Sequence, residues 1–133
     1  MNRNWEILQS ARTVAVVGLS GKRYRPSYGV AEYLKREGYR VVPVNPEETE
    51  VLGEKCYPDL DSVPGEIDVV DVFRRSEFVP EIVEAAIRKG AKVIWMQEGV
   101  IHEEAARRAR EAGLTVIMDR CILKDHRRLA HAS

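Results

Sequence analysis

Along this chain, short and wholly apolar runs alternate with longer stretches in which apolar positions recur every three or four residues. VAVV at 14–17, VVPV at 41–44, IDVVDVF, AKVIWMQ and LTVIM are too short and too uniformly apolar for amphipathic helices, so they read as strands covered on both faces. Between the first two, Ser27, Val30, Ala31 and Leu34 fall at i, i+3, i+4 and i+7, which marks a helix lying on the sheet. Val79, Ile82, Val83, Ala86 and Ile87 repeat that stripe up to Gly90, and Pro80 suits the first turn, where its missing N–H costs little. A glycine ends each helical stretch before the next strand, in REGYRVVPVN, RKGAKVIWMQ and EAGLTVIMD, as α-to-β turns require.

The weaker patterns complete the outline. NWEILQSA predicts a short helix capped by Asn4, with Trp5, Leu8 and Ala11 on one face. Asn45 to Asp68 is rich in Pro, Gly and acids, and predicts a connection with at most one helical turn, around Asp59 to Val63. A helix from about His102 to Ala112 carries Glu103 with Arg107 and Glu104 with Arg108 at i, i+4 spacing. The tail DRCILKDHRRLAHAS predicts one or two helical turns that then fray.

Strands separated by helices must be joined by right-handed crossovers, so the fold class is α/β: a Rossmann-like, doubly wound, parallel five-stranded sheet with helices on both faces. The expected strand order is 3-2-1-4-5. Ligands of such sheets settle outside the carboxyl ends of the strands, where the winding reverses. Three loops are expected to meet there, Gly18 to Ser27, Val72 to Ser76 and Met96 to Gly99, beside Asn45 and Pro46.

Composition narrows the function. At 133 residues the chain fits one domain, 1–133, with a core that needs no staples. Lys plus Arg equals Asp plus Glu at 21 each, which argues against a nucleic-acid partner and makes any charge preference local. No apolar run reaches signal-peptide or membrane-span length, so a cytoplasmic protein without a membrane partner is expected. Cys56, Cys121 and the three histidines are scattered, so neither a metal site nor a disulfide is indicated.

The local charge lies in the loop GLSGKRYRPSYG. A glycine at the end of a buried strand lets a ligand approach the main chain, and exposed amides at the following helix start favour an anion such as phosphate. Lys22, Arg23, Arg25, Arg74 and Arg75 are all expected at one rim, which suits an anion with more than one phosphate. NAD fits poorly. Its G-x-G-x-x-G fingerprint is broken by Ser20, the loop is longer, and the second strand ends in Asn45 and Pro46 without the acid that holds ribose hydroxyls.

VAVVGLSGKRYRPSYGVAEYL, VVPVNP, VLGEKCYPDL, DVVDVFRRSEFVPEIV, KVIWMQEGV and GLTVIMDRC together resemble the small stand-alone CoA-binding proteins. These are similar to the CoA-binding domain of the succinyl-CoA synthetase α subunit and of ADP-forming acyl-CoA synthetases. The resemblance implies coenzyme A as the ligand and assigns roles by position. Gly18, Leu19, Ser20 and Gly21 match a Gly-Phe-Thr-Gly loop that holds the CoA phosphates. Val44, Asn45 and Pro46 match the strand end that contacts the nucleotide. Val72, Phe73 and Arg74 stand where a Tyr-Val-Pro segment lines the adenosine, and that departure bears on the adenine contacts. Met96, Gln97 and Glu98, with Gly99, correspond to a Thr-Glu-Gly segment facing the pantetheine.

No counterpart of the synthetase phosphohistidine exists, since His102 opens a surface helix, so no catalytic activity by this chain alone is expected. The reading is a non-catalytic module that binds or senses CoA or acyl-CoA. Two alternatives stay open: a thiol, redox or acyl-transfer partner using Cys121, which has Asp119, Arg120 and His126 close in sequence, and a subunit of a split acyl-CoA synthetase. A homo-oligomer or a synthetase-like partner chain is compatible with either.

Overall fold

A computed structural model describes residues 3–132 and contains, in chain order, β1 (Thr13–Val17), β2 (Arg40–Val44), β3 (Glu50–Val51), β4 (Glu54–Lys55), β5 (Val69–Val72), β6 (Val93–Met96) and β7 (Thr115–Ile117). The helices are α1 (Arg3–Ser10), α2 (Pro26–Arg36), α3 (Val79–Lys89), α4 (Glu103–Glu111) and α5 (Ile122–Ala132), with 3-10 turns at Leu60–Ser62 and Ser76–Phe78. β2, β1, β5, β6 and β7 form one sheet in that order, and each neighbouring pair is parallel.

Counting only these five strands, the order is 2-1-3-4-5, which corrects the expected 3-2-1-4-5. The third strand crosses back over the first and pairs with it, Val14 to Val17 lying against Val69 to Val72. Both orders keep right-handed crossovers and fully buried strands, so local pattern does not separate them. The pairing decides where the winding reverses: between β1 and β5, whose carboxyl ends frame the crevice such sheets use for ligands.

The all-apolar strands are explained by cover on both faces. On one face, Val14, Val16, Val69 and Trp95 pack with Leu8 of α1, Val30 and Leu34 of α2, and Ile122 and Leu129 of α5. On the other, Ala15, Val17, Val70, Ile94 and Met96 pack with Val79, Ile82 and Val83 of α3 and Ala105, Ala106 and Ala109 of α4. At roughly 25 cal/mol per Å² of apolar surface removed from water, these two layers supply the main drive to fold.

Several local expectations are corrected. Asn4 lies inside α1 and its Nδ2 donates to Asp125 Oδ2 at 3.3 Å, so it is not the helix cap. The 45–68 connection holds the expected turn, capped by Asp59 accepting from the Ser62 amide at 2.9 Å, and also the β3–β4 hairpin. That hairpin turns at Leu52 and Gly53, both at positive φ, as tight hairpins require. Arg107 pairs with Glu111 and Arg108 with Glu84 of α3, in place of the two pairings read from spacing. The tail is one continuous helix, α5, with Ile122, Asp125, His126 and Leu129 buried.

Candidate functional site

Gly18 ends β1 at φ +90°, and a Cβ there would lie 2.4 Å from the Phe73 carbonyl oxygen. Only glycine lets the β1 loop press against the β5 loop this closely. Hydrogen bonds from the Gly18 amide to the Val44 carbonyl and from the Phe73 amide to the Val17 carbonyl, both 2.8 Å, tie three strand ends together. Leu19 is wholly buried, side chain and main chain alike, so it shapes the loop from beneath.

The next three amides are not bare, which corrects the picture of an open cradle. The Ser20 amide donates to Ser27 Oγ at 3.1 Å, and the Lys22 amide to Ser20 Oγ at 3.1 Å. The Gly21 amide donates to Glu48 Oε2 at 2.8 Å. Asn45 braces the arrangement, its Nδ2 donating to the Leu19 carbonyl at 3.0 Å and its Oδ1 accepting from the Glu47 amide at 2.9 Å.

Gly18, Ser20, Lys22, Arg25, Ser27, Asn45, Glu48 and Phe73 line a cleft of about 340 Å³. Among the described residues, Lys22 and Arg25 form no ion pair. Arg25 stands at the N-cap of α2 in extended conformation and supplies no side-chain cap; Pro26 has no N–H and the Tyr28 amide donates to the Arg25 carbonyl at 3.1 Å, which leaves the Ser27 amide as the first-turn donor for an anion.

The five cations expected at one rim are divided. Lys22 and Arg25 are in the cleft, whereas Arg74 lines a separate slot of about 300 Å³ with Val17, Val44, Pro46, Pro58, Leu60 and Phe78. The Arg74 guanidinium lies over the Phe78 ring, 4.4 Å from its centroid. Arg75 is exposed and 3.7 Å from Glu77, and Arg23 is exposed and lines neither opening. Val72 is buried beneath the slot. Asn45 lines the cleft and Pro46 the slot, so the two openings are neighbours across the end of β2.

The residues after β6 form a different corner. Met96 and Gln97 are buried, and Gln97 Oε1 accepts from the Ile122 amide at 3.0 Å. Glu98 meets Lys124 at 3.0 Å, Arg120 makes a two-pronged pair with Asp125 at 2.7 Å, and Asp119 Oδ1 accepts from the Gly99 amide at 2.7 Å. Their partners raise the pKa values of Lys124 and Arg120 above the ordinary values. Cys121 is buried at the wall of this corner, a cleft of about 250 Å³ that neither Ser20 nor Arg74 lines.

Sequence reasoning placed Ser27 at the end of the expected loop but missed Glu47 and Glu48 as parts of the cleft. Glu48 lies three residues past the strand end, inside an irregular acidic stretch that offers no periodic signal. It also missed Asp71, whose carboxyl is wholly buried in β5 with neither oxygen hydrogen-bonded. Burial pushes the Asp71 pKa well above its ordinary 3.8. Its signal was an acid inside an otherwise apolar strand. A larger depression, about 670 Å³, opens at the opposite end of β1 and β2, where His126 contacts the rings of Trp5, Tyr33 and Tyr39.

With the geometry in place, comparison with known proteins is informative. The family model for the CoA binding domain matches residues 12–127, nearly the whole chain. The chain belongs to the CoA-binding domain family. An uncharacterized protein of Bacillus subtilis (strain 168), YneT, is 45% identical over 121 residues, covering 91% of this chain and 90% of that protein. The solved structure of a hypothetical protein from Pyrococcus horikoshii OT3 superposes with a TM-score of 0.93 at 45% identity, over 96% of this chain and 89% of that one. The α subunit of ADP-forming acetate–CoA ligase II of Pyrococcus furiosus is 31% identical over 122 residues, which span 84% of this chain and 27% of that subunit. Stand-alone relatives thus match end to end, whereas the ligase subunit matches over about a quarter of its length. No described helix is long and apolar enough to cross a membrane, and no described group of side chains could hold a metal ion.

Proposed function

We propose that this member of the CoA-binding domain family binds coenzyme A or acyl-CoA outside the carboxyl ends of β1 and β5, as a binding or sensing module without catalysis of its own. The observation that carries the reading is the pair of cations, Lys22 and Arg25, which have no ionic partner among the described residues and face a cleft lined by Gly18 beside an uncapped helix start. Cations outside any ion pair, next to a positive helix end, favour a phosphate-bearing ligand over a neutral one.

In this reading the pyrophosphate lies over Gly18, Leu19, Ser20 and Gly21, within reach of Lys22 and Arg25. The adenosine enters the slot between Pro46 and Phe78, walled by Val44 and bounded by Arg74, whose guanidinium can take the 3′-phosphate, while Phe73 lines the neighbouring cleft. Arg23 and Arg75 add to the field at the rim, and Met96, Gln97 and Glu98 lie one strand further along, towards the pantetheine arm. The ligase relative suggests the wider setting, in which a partner chain supplies chemistry that this chain lacks.

Isothermal titration with CoA, dephospho-CoA and NAD tests the reading. Binding of CoA in preference to NAD supports it, and a preference for NAD or no binding of CoA removes it. Arg74→Ala is expected to weaken CoA about ten- to a hundredfold while leaving dephospho-CoA nearly unchanged. Equal losses for the two ligands would mean that Arg74 does not read the 3′-phosphate.

A further inference from the structure

The cleft already contains an anion of the protein's own. Glu48 reaches across from the segment after β2, and its carboxylate accepts the Gly21 amide at 2.8 Å. The fit is close: a Cβ built on Gly21 would lie 3.1 Å from each carboxylate oxygen. Glu48 lines the same opening as Lys22 and Arg25, and forms no ion pair with either among the described residues. The loop's other two side-chain acceptors, Ser27 Oγ and Ser20 Oγ, are neutral hydroxyls and belong to the loop and to α2. Glu48 is the one charged group in this amide array, and it comes from a different element.

A carboxylate on a glycine-loop amide occupies the kind of seat a phosphate oxygen would take, because both are anionic acceptors seeking a fixed N–H in a positive field. The two cannot share it. Like charges brought within a few ångströms repel, and one N–H directs one strong hydrogen bond. We infer that Glu48 fills the pyrophosphate seat of the ligand-free protein and must swing away when CoA enters, so that it sets a threshold only a strongly anionic ligand can pass. A neutral or singly charged group gains too little from Lys22 and Arg25 to displace it, whereas a pyrophosphate gains from both cations and from the released amide. Glu48 thereby works as a selectivity residue through competition. Glu47, next to it in the chain and also lining the cleft, supplies the background charge without the contact to Gly21.

This inference rests on the reading that the CoA phosphates occupy this cleft, and the experiment separates the two. CoA and dephospho-CoA are titrated into the wild type, Glu48→Gln, Glu48→Ala and Glu47→Gln at one ionic strength, with the Gly21 amide followed by ¹⁵N–¹H correlation spectra before ligand is added. Glu48→Gln and Glu48→Ala are expected to tighten both ligands about three- to tenfold, and Glu47→Gln, which removes charge from the cleft but no contact to Gly21, to tighten them by clearly less than either Glu48 variant. In the free protein, Glu48→Ala moves the Gly21 amide resonance. Tightening confined to CoA would overturn the assignment of the seat to the pyrophosphate. Equal affinities of wild type and Glu48 variants, equal gains from Glu47→Gln, or weaker binding without Glu48 would each overturn the competition while leaving CoA binding intact. Absence of CoA binding in every variant removes the functional reading and this inference with it.

Discussion

The loops after β1 and β6 leave the same edge of the sheet, and both were expected to hold the ligand, yet their charges are arranged in opposite ways. After β6, Glu98 is paired with Lys124, Arg120 with Asp125, and the Gly99 amide with Asp119. After β1, Lys22 and Arg25 have no carboxylate within ion-pair distance among the described residues, although Glu47 and Glu48 line the same cleft. Ion pairs that are already closed have little to offer a new anion, since the ligand must first break them. Open cations beside fixed amides have their field available. The corner around Cys121 therefore fastens α5 to the sheet, and the β1 loop is where the proposed ligand would meet charge not already paired.

The sharpest way to break this contrast is to remove the open charges. The double variant Lys22→Ala, Arg25→Ala is expected to weaken CoA about thirty- to a hundredfold in calorimetric titration, with little change in melting temperature because both side chains are exposed. Unchanged affinity would show that the cleft's field is not used.

Between the two regions lies Asp71, unpaired like the β1 cations but wholly buried, on the strand that separates β1 from β6. Because its folded pKa is raised above 3.8, the folded state keeps a proton that the unfolded chain has released. The resulting penalty is absent below about pH 4, grows as pH rises towards the folded value, and is constant above it. Asp71→Val is thus expected to stabilise the protein by about 1–3 kcal/mol at neutral pH, in denaturant unfolding, and by progressively less as pH falls towards 4. A destabilised variant at pH 7 would mean that the carboxyl has a partner in solution, such as a buried water.

The smallest effect is expected on the paired side. Lys124→Ala opens an exposed ion pair with Glu98, and is expected to leave the denaturation midpoint nearly unchanged and CoA affinity within about twofold of the unmodified protein. A tenfold loss of affinity there would move the ligand's path to the Cys121 corner and revive a role for its thiol.

Much of the architecture is legible in the residues because it is local. Buried parallel strands need uniformly apolar runs such as VAVV, and each α-to-β turn needs its glycine, so class, strand positions and the reversal beside the first strand can be read directly. Strand order is not local: whether Val69 to Val72 pairs with β1 or β2 depends on the path of a connection whose residues show no period. The hairpin at Glu50–Lys55 escaped because its turn puts Leu52 at φ 56°, a conformation leucine does not advertise. The length of α5 escaped because two members of its buried stripe, Asp125 and His126, are polar.

The candidate site was half legible. Gly18, Ser20, Lys22 and Arg25 follow one another within a single loop, Asn45 closes the neighbouring strand, and they share a cleft. The separation of Arg74 from that cleft and the arrival of Glu48 at Gly21 depend on how distant segments pack, which no spacing encodes.

The central claim, that the cleft after β1 receives the phosphates of CoA, is tested most directly by mapping where CoA lands in ¹⁵N–¹H correlation spectra of the unmodified protein. The account predicts that the amides of Gly18, Ser20, Gly21, Ser27 and Asn45 move most, in step with saturation. Spectra that stay unchanged, or whose largest shifts fall at Glu98, Cys121 and Lys124, would contradict it.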